Sequence, residues 1–223
     1  MSTKNTHHNL KSNTQSITDH KIIILGDSHA RGLSSNVKSN LNDNYSVCSF
    51  VKPGVNIATQ ISSMTVDINL LTKNDLIIFW GGSNDVSRKN SQEGFKHLVN
   101  FVQSNNHTNI FLTCVPSRHD LSEWSCVNNE IKAFNRKLLK LMKPYEHVLI
   151  VTADTDRKFF TRHGLHMSNL GKEKTASKVS MIVKNIFQKQ NMKISLCWKN
   201  GRDISASDNQ REDNISLQED SKN

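Results

Sequence analysis

Apolar residues along the chain gather in five short runs, separated by longer stretches of mixed character. The runs are Lys21–Leu25 (KIIIL), Tyr45–Val51 (YSVCSFV), Asp75–Trp80 (DLIIFW), Asn109–Val115 (NIFLTCV) and His147–Thr152 (HVLIVT). Three of them are nearly continuous in Ile, Leu, Val and Phe, the pattern of parallel strands covered on both faces. The stretches between them carry helical spacing over Leu33–Leu41, Ile57–Leu70, Gln92–Val102, Asn128–Met142 and Ser168–Phe187. In Asn128–Met142 the stripe is Ile131, Phe134, Leu138, Leu139 and Met142. In the last helix it is Leu170, Val179, Ile182, Val183 and Ile186, with Ser168 as N-cap and Lys178 and Lys184 suited to the later turns. Strict alternation of strand and helix predicts right-handed crossovers and a doubly wound parallel α/β sheet. In such sheets ligands bind beyond the carboxyl ends of the strands, so the chemistry is sought there.

Composition limits this domain to the middle of the chain. Only 35% of the 223 residues are apolar, and the two ends account for much of the deficit. Residues 1–20 have almost no large apolar side chain, and residues 200–223 have only Ile204, Ile215 and Leu217. Neither end can bury enough surface to offset its ordering entropy. The expected organisation is a disordered tail over 1–20, one domain over 21–190 and a mostly disordered tail over 191–223. Within that last tail, Met192–Trp198 (MKISLCW) reads as an extra strand or a docking peptide.

Charge is uneven. From Asn200 onward three basic residues face six acidic ones, so a net +9 for the whole chain leaves +12 on the rest. A basic body attracts polyanions or anionic substrates, yet no run of Lys or Arg exceeds two residues, as in a solvated basic surface. The chain also lacks the aromatic-basic interleaving of a base-stacking platform. Cys48, Cys114, Cys126 and Cys197 fit no zinc spacing or disulfide framework, and Cys48 and Cys114 sit in apolar runs as buried small residues do. With no signal-peptide h-region and no apolar run of membrane-spanning length, the expectation is a soluble cytoplasmic or otherwise intracellular protein with reduced thiols.

The strand ends carry nucleophile, base and donors. The first run ends in Gly26-Asp27-Ser28-His29, a tight turn that exposes a hydroxyl at the start of a helix, or equally an ordinary capped turn. The second ends in Lys52-Pro53-Gly54, where glycine lets the backbone approach a ligand or simply turn. The third ends in Gly81-Gly82-Ser83-Asn84-Asp85, where Asn84 offers amide donors or Asp85 caps a helix. The fourth is followed by Pro116–Leu121 (PSRHDL). Arg118 and His119 there line a pocket, with Arg118 gripping an anionic group, or belong to a solvated loop. Before the last helix comes Arg162–Met167, with His163 and His166 three residues apart. No third and fourth ligand stands at metal-binding spacing, so no metal is expected. No G-x-G-x-x-G or phosphate-loop motif points to a nucleotide, so no cofactor is expected. A serine, a glycine, an asparagine and a histidine gathered at strand ends form the set that acyl transfer needs.

These residues resemble the SGNH (GDSL-type) hydrolase family. GDSHARGL at Gly26–Leu33 is similar to its first block, Gly54 to its second-block glycine, GGSND at Gly81–Asp85 to its third and HGLHMSNLG at His163–Gly171 to its last. The HGLH variant with PSRHDL is also similar to esterase-like domains found in insect genomes and near non-LTR retrotransposon coding regions. The resemblance implies a three-layer α/β/α, flavodoxin-like fold with a five-stranded parallel sheet. It implies Ser28 as nucleophile, His166 as catalytic base, and an oxyanion hole from the Ser28 N–H, the Gly54 N–H and the Asn84 amide. Asp27 and His29 beside the nucleophile are further candidates for substrate contact. One position departs from the pattern: His163 stands where the family has the aspartate that orients the histidine. Asp154, Asp156 and Asp120 are candidate replacements, alongside His163 itself. The implied activity is esterase-type hydrolysis of small or acyl esters. The alternative is a catalytically degenerate module of the same fold that binds a ligand, a protein or nucleic acid. The oligomeric state is not legible.

Overall fold

The computed structural model describes residues 20–153 and 155–199. Five strands form one sheet: β1 (His20–Gly26), β2 (Tyr45–Val51), β3 (Leu76–Trp80), β4 (Asn109–Thr113) and β5 (Val148–Val151). All neighbours are parallel and the order is β2-β1-β3-β4-β5. The helices are α1 (Leu33–Ser39), α2 (Ile57–Ser62), α3 (Ser83–Ser87), α4 (Ser91–Ser104), α5 (Cys126–Met142) and α6 (Asn169–Lys199). The compact unit that carries the sheet runs to Val183, and a second unit starts at Lys184, within α6. The expected disorder of residues 1–19 and 200–223 lies outside the described residues, as does Asp154.

Alternation along each strand sorts the core into two layers. Ile23, Leu25, Ile77, Phe79, Ile110 and Leu112 meet residues of α2, α4 and α5, including Ile57, Phe95, Leu98, Phe134 and Leu138. Phe95 and Phe134 stack with ring centroids 4.4 Å apart, joining α4 to α5. On the opposite face Ile22, Ile24, Leu76, Ile78 and Trp80 are fully buried. That side carries α1 and the first turns of α6, tied where the Ser180 hydroxyl donates to the Val37 carbonyl. The result is the three-layer α/β/α arrangement. Five all-buried positions in β3 bear out the reading of its run as a strand covered on both faces.

Several local expectations change. The stretch Ile57–Leu70 is two pieces, α2 and a short 3-10 turn at Ile68–Leu70, because Asp67 accepts from the Asn69 N–H and starts a new turn. Helix α3 was not visible as a periodicity, being only five residues long. Cys48 is exposed rather than buried, since β2 is an edge strand; Cys114, on the central side, is buried. Leu139 and Leu170 are exposed and leave their stripes. Val179 and Val183 of the α6 stripe are buried as expected, and the helix packs also through Gly171, Thr175, Ala176 and Ser180, small residues that allow close approach to the sheet. Ser168 does cap it, its hydroxyl accepting from the Gly171 N–H at 3.3 Å. Met192–Trp198 continues α6 and is neither a strand nor an extended peptide.

Candidate active site

Strand order reverses direction between β1 and β3, the switch point at which doubly wound sheets leave a crevice. Ser28 stands there, immediately after β1. The turn is tight because Gly26 has no room for a side chain: a Cβ would lie 2.4 Å from the Ala30 Cβ and 2.8 Å from the Trp80 carbonyl. Asp27 closes it by accepting the His29 N–H at 2.9 Å, which caps the 3-10 turn Ser28–Ala30. The Ser28 hydroxyl is left facing a pocket of about 680 Å³ lined also by Gly54, Asn84 and His166.

His166 reaches Ser28 from the far end of the chain. Its loop is closed by an antiparallel bridge between Phe160 and Met167 and by the Thr161 N–H donating to the His166 carbonyl at 2.8 Å. Arg157 braces the same loop through the carbonyls of Thr161 and Arg162. The imidazole Nδ1 lies 3.4 Å from the Ser28 Oγ, at the outer edge of hydrogen-bond distance. Burial, with Lys172, Arg31 and Arg118 nearby, holds the His166 pKa below its ordinary value, and Asp120 partly opposes this.

The two expected oxyanion donors share that wall. Gly54 has φ +73°, a conformation that L side chains rarely adopt, and its carbonyl is held by the Arg88 guanidinium at 2.9 Å. The Asn84 amide donates one hydrogen to the Val55 carbonyl at 3.0 Å, which fixes its plane and leaves the second hydrogen for a ligand. Asn84 itself is carried by α3, whose N-cap Gly82 has φ +105° and lies against Phe134 and Val115.

The candidate supports of His166 separate. His163 is exposed on the turn and makes no hydrogen bond to His166. Asp156 pairs with Lys158 at 2.9 Å on the surface. Asp120 is close enough for its charge to act on His166. Its loop sits on the histidine loop, with the His119 N–H donating to the Gly164 carbonyl at 2.9 Å. The Asp120 carboxylate, however, is engaged by Arg118, Nε to Oδ1 at 3.0 Å and Nη2 to Oδ2 at 2.5 Å. No carboxylate hydrogen-bonds to His166 among the described residues.

Four expected substrate contacts lie elsewhere. Asp27 and His29 point inward, at 0% and 4% exposure. Asp27 is pushed up to about 6 by burial, with Asp85 adding to the rise against the His29 N–H bond. His29 is lowered to about 4 by burial, then by the charges of His166 and Lys172. Its ring lies between those of Trp80 and His166, with centroids 6.2 and 5.6 Å away. Arg118 and His119 line a separate pocket of about 260 Å³, and His119 Nε2 contacts the Thr155 carbonyl at 2.7 Å. Sequence reasoning missed Arg31 and Lys172, which do line the Ser28 pocket. Arg31 lies inside the first matched block and Lys172 directly follows the last, so their signal was position rather than type. It also missed Asn128, which clamps PSRHDL by accepting the Arg118 N–H and donating to the carbonyls of Arg118 and Ser122.

Among the described residues no group of three or more His, Cys, Asp or Glu could hold a metal ion. None of the described helices is long and apolar enough to cross a membrane.

No protein-family model matches the chain, and neither does any curated protein. Solved structures do match. A GDSL-like lipase from Bacteroides thetaiotaomicron VPI-5482 is 15% identical, with TM-score 0.58, covering 75% of this chain and 89% of that one. The native M. smegmatis aryl esterase is 14% identical, with TM-score 0.57, covering 75% and 99%. The lipase/acylhydrolase from Enterococcus faecalis is 17% identical, with TM-score 0.55, covering 74% and 96%. This is the SGNH hydrolase fold. Its structural neighbours are SGNH and GDSL-like lipases and esterases. At such identities the likeness establishes architecture, and the chemistry rests on the side chains. In the SGNH fold of this chain, the serine, glycine, asparagine and histidine expected from the blocks converge on one pocket.

Proposed function

We propose that this chain is a serine-type carboxylic ester hydrolase. The observation that carries the reading is the approach of the Ser28 Oγ to His166 Nδ1, at 3.4 Å, in a pocket whose wall includes Gly54 and Asn84. Ser28 attacks the ester carbonyl carbon as its proton passes to Nδ1 of His166. The oxygen that becomes negative is met by the N–H groups of Ser28 and Gly54 and by the Asn84 amide. His166 then gives the proton to the departing alcohol oxygen as the C–O bond breaks, leaving Ser28 acylated. Water attacks the acyl-enzyme, His166 takes its proton, and Ser28 recovers it as the acid leaves. The lowered His166 pKa favours the neutral, proton-accepting form at neutral pH.

A second reading is a non-catalytic binding module, favoured by one observation: Asp120, the nearby carboxylate, is engaged by Arg118 rather than His166. Labelling with a fluorophosphonate probe and turnover of p-nitrophenyl acetate separate the two. The hydrolase reading expects labelling and turnover, both abolished in Ser28→Ala. A well-folded protein that neither labels nor turns over is the binding module.

A further inference from the structure

We infer that Arg31 and Lys172 form a subsite for an anionic group, a carboxylate or a phosphate, carried by the substrate beside its scissile ester. The word substrate rests on the hydrolase reading; the subsite itself does not. Both cations line the Ser28 pocket, and no Asp or Glu lines it with them. Neither makes an ion pair among the described residues. Lys172 is only partly exposed, and burial followed by the Arg31 charge lowers its pKa. Two like charges thus face one space without a counterion. Arg31 is exposed and Lys172 half-buried, and both border the pocket from opposite ends of the chain.

Two further features agree. The pocket wall includes Ser168 and Asn169, at the start of the long helix α6, so the positive end of its dipole faces the same volume. The apolar side chains of the lining are Pro53 and Met167, and the rest of the lining is polar or glycine. An anion at Arg31 and Lys172 would sit beside the carbonyl that Ser28 attacks.

The test compares p-nitrophenyl hydrogen succinate with its neutral methyl ester, in wild-type protein and in Arg31→Gln, Lys172→Met and the double variant. At low ionic strength the anionic ester should have a kcat/KM about tenfold higher or more, one charge-assisted contact being on that scale. Added salt should narrow the ratio, each single variant should reduce it, and the double variant should bring it near one. An equal or inverted wild-type ratio, or a ratio that survives in the double variant, overturns the proposal. A binding arm needs no turnover: NMR titration of His166 with succinate or inorganic phosphate at tens of millimolar. Either anion should raise the His166 pKa in wild-type protein and leave it unmoved in the double variant. The anion with the larger shift identifies the group. If neither ester is hydrolysed but the shift appears, the hydrolase reading falls and the subsite stands. If neither anion shifts His166, the subsite falls.

Discussion

Asp27 and His29 are buried neighbours whose titrations have opposite signs, and replacing one should expose the other. Burial raises Asp27 from 3.8 to about 6, so the folded state binds this proton more tightly than the unfolded chain. That contribution to stability is complete below pH 3.8 and is lost as pH rises through about 6. Burial lowers His29 from 6.5 to about 4, so its contribution is complete above 6.5 and is lost as pH falls through about 4. At 1.36 kcal/mol per unit, each change is worth about 3 kcal/mol over its window. Between pH 4 and 6 the native protein holds both groups neutral, where the unfolded chain holds both charged. The two slopes nearly cancel in the wild type. Asp27→Asn keeps an acceptor for the His29 N–H and cannot titrate. Relative to wild type it should lose about 3 kcal/mol as pH falls from 7 to 4. His29→Gln should gain a similar amount over the same range. Urea unfolding followed by tryptophan fluorescence at several pH values gives both curves, and subtracting wild type removes the contribution of every other group. Difference curves that are flat, or that share one sign, would refute the reasoning.

Removing Asp120 takes away a charge that raises the His166 pKa, so Asp120→Asn should move the acid limb of the kcat/KM profile to lower pH; Lys172→Met should move it the other way. An Asp120→Asn limb that moves upward contradicts the electrostatic assignment. Arg88→Met frees the Gly54 carbonyl and should lower kcat by up to about 10²-fold, the scale of one oxyanion donor, with little change in Tm. Gly82→Ala meets both a φ of +105° and side-chain atoms of Phe134 and Val115 at 3.1 Å, and should cost about 1–3 kcal/mol in chemical denaturation.

The sheet was legible because the runs that became β1, β3 and β4 are buried on both faces, and continuous apolar sequence has few other uses. The nucleophile turn was legible through Gly26, whose missing side chain is demanded by Ala30 and Trp80. What escaped was direction. Adjacent positions in a 3-10 turn point to different sides, so Asp27 and His29 face the interior while Ser28 faces the pocket. Neighbourhood in sequence could not separate them. Which of the candidate carboxylates comes near His166 was not legible, because Asp120 approaches only when the loops after β4 and β5 stack, a contact between residues distant along the chain. Arg31 and Lys172 looked like ordinary members of a basic surface until the fold brought both to one pocket.

That stacking of loops has a consequence for engineering. A Cβ on Gly164 would come within 2.6 Å of the His119 carbonyl carbon and 2.7 Å of the Asp120 nitrogen, both backbone atoms that cannot rotate aside. The two loops are therefore packed as a matched pair. Transplanting the histidine loop alone into a relative, or accepting a relative's loop with any side chain at that glycine, would pry the pair apart and carry His166 away from Ser28. A working chimera has to exchange PSRHDL and HGLH together, with Asn128 as the fastener that travels with them.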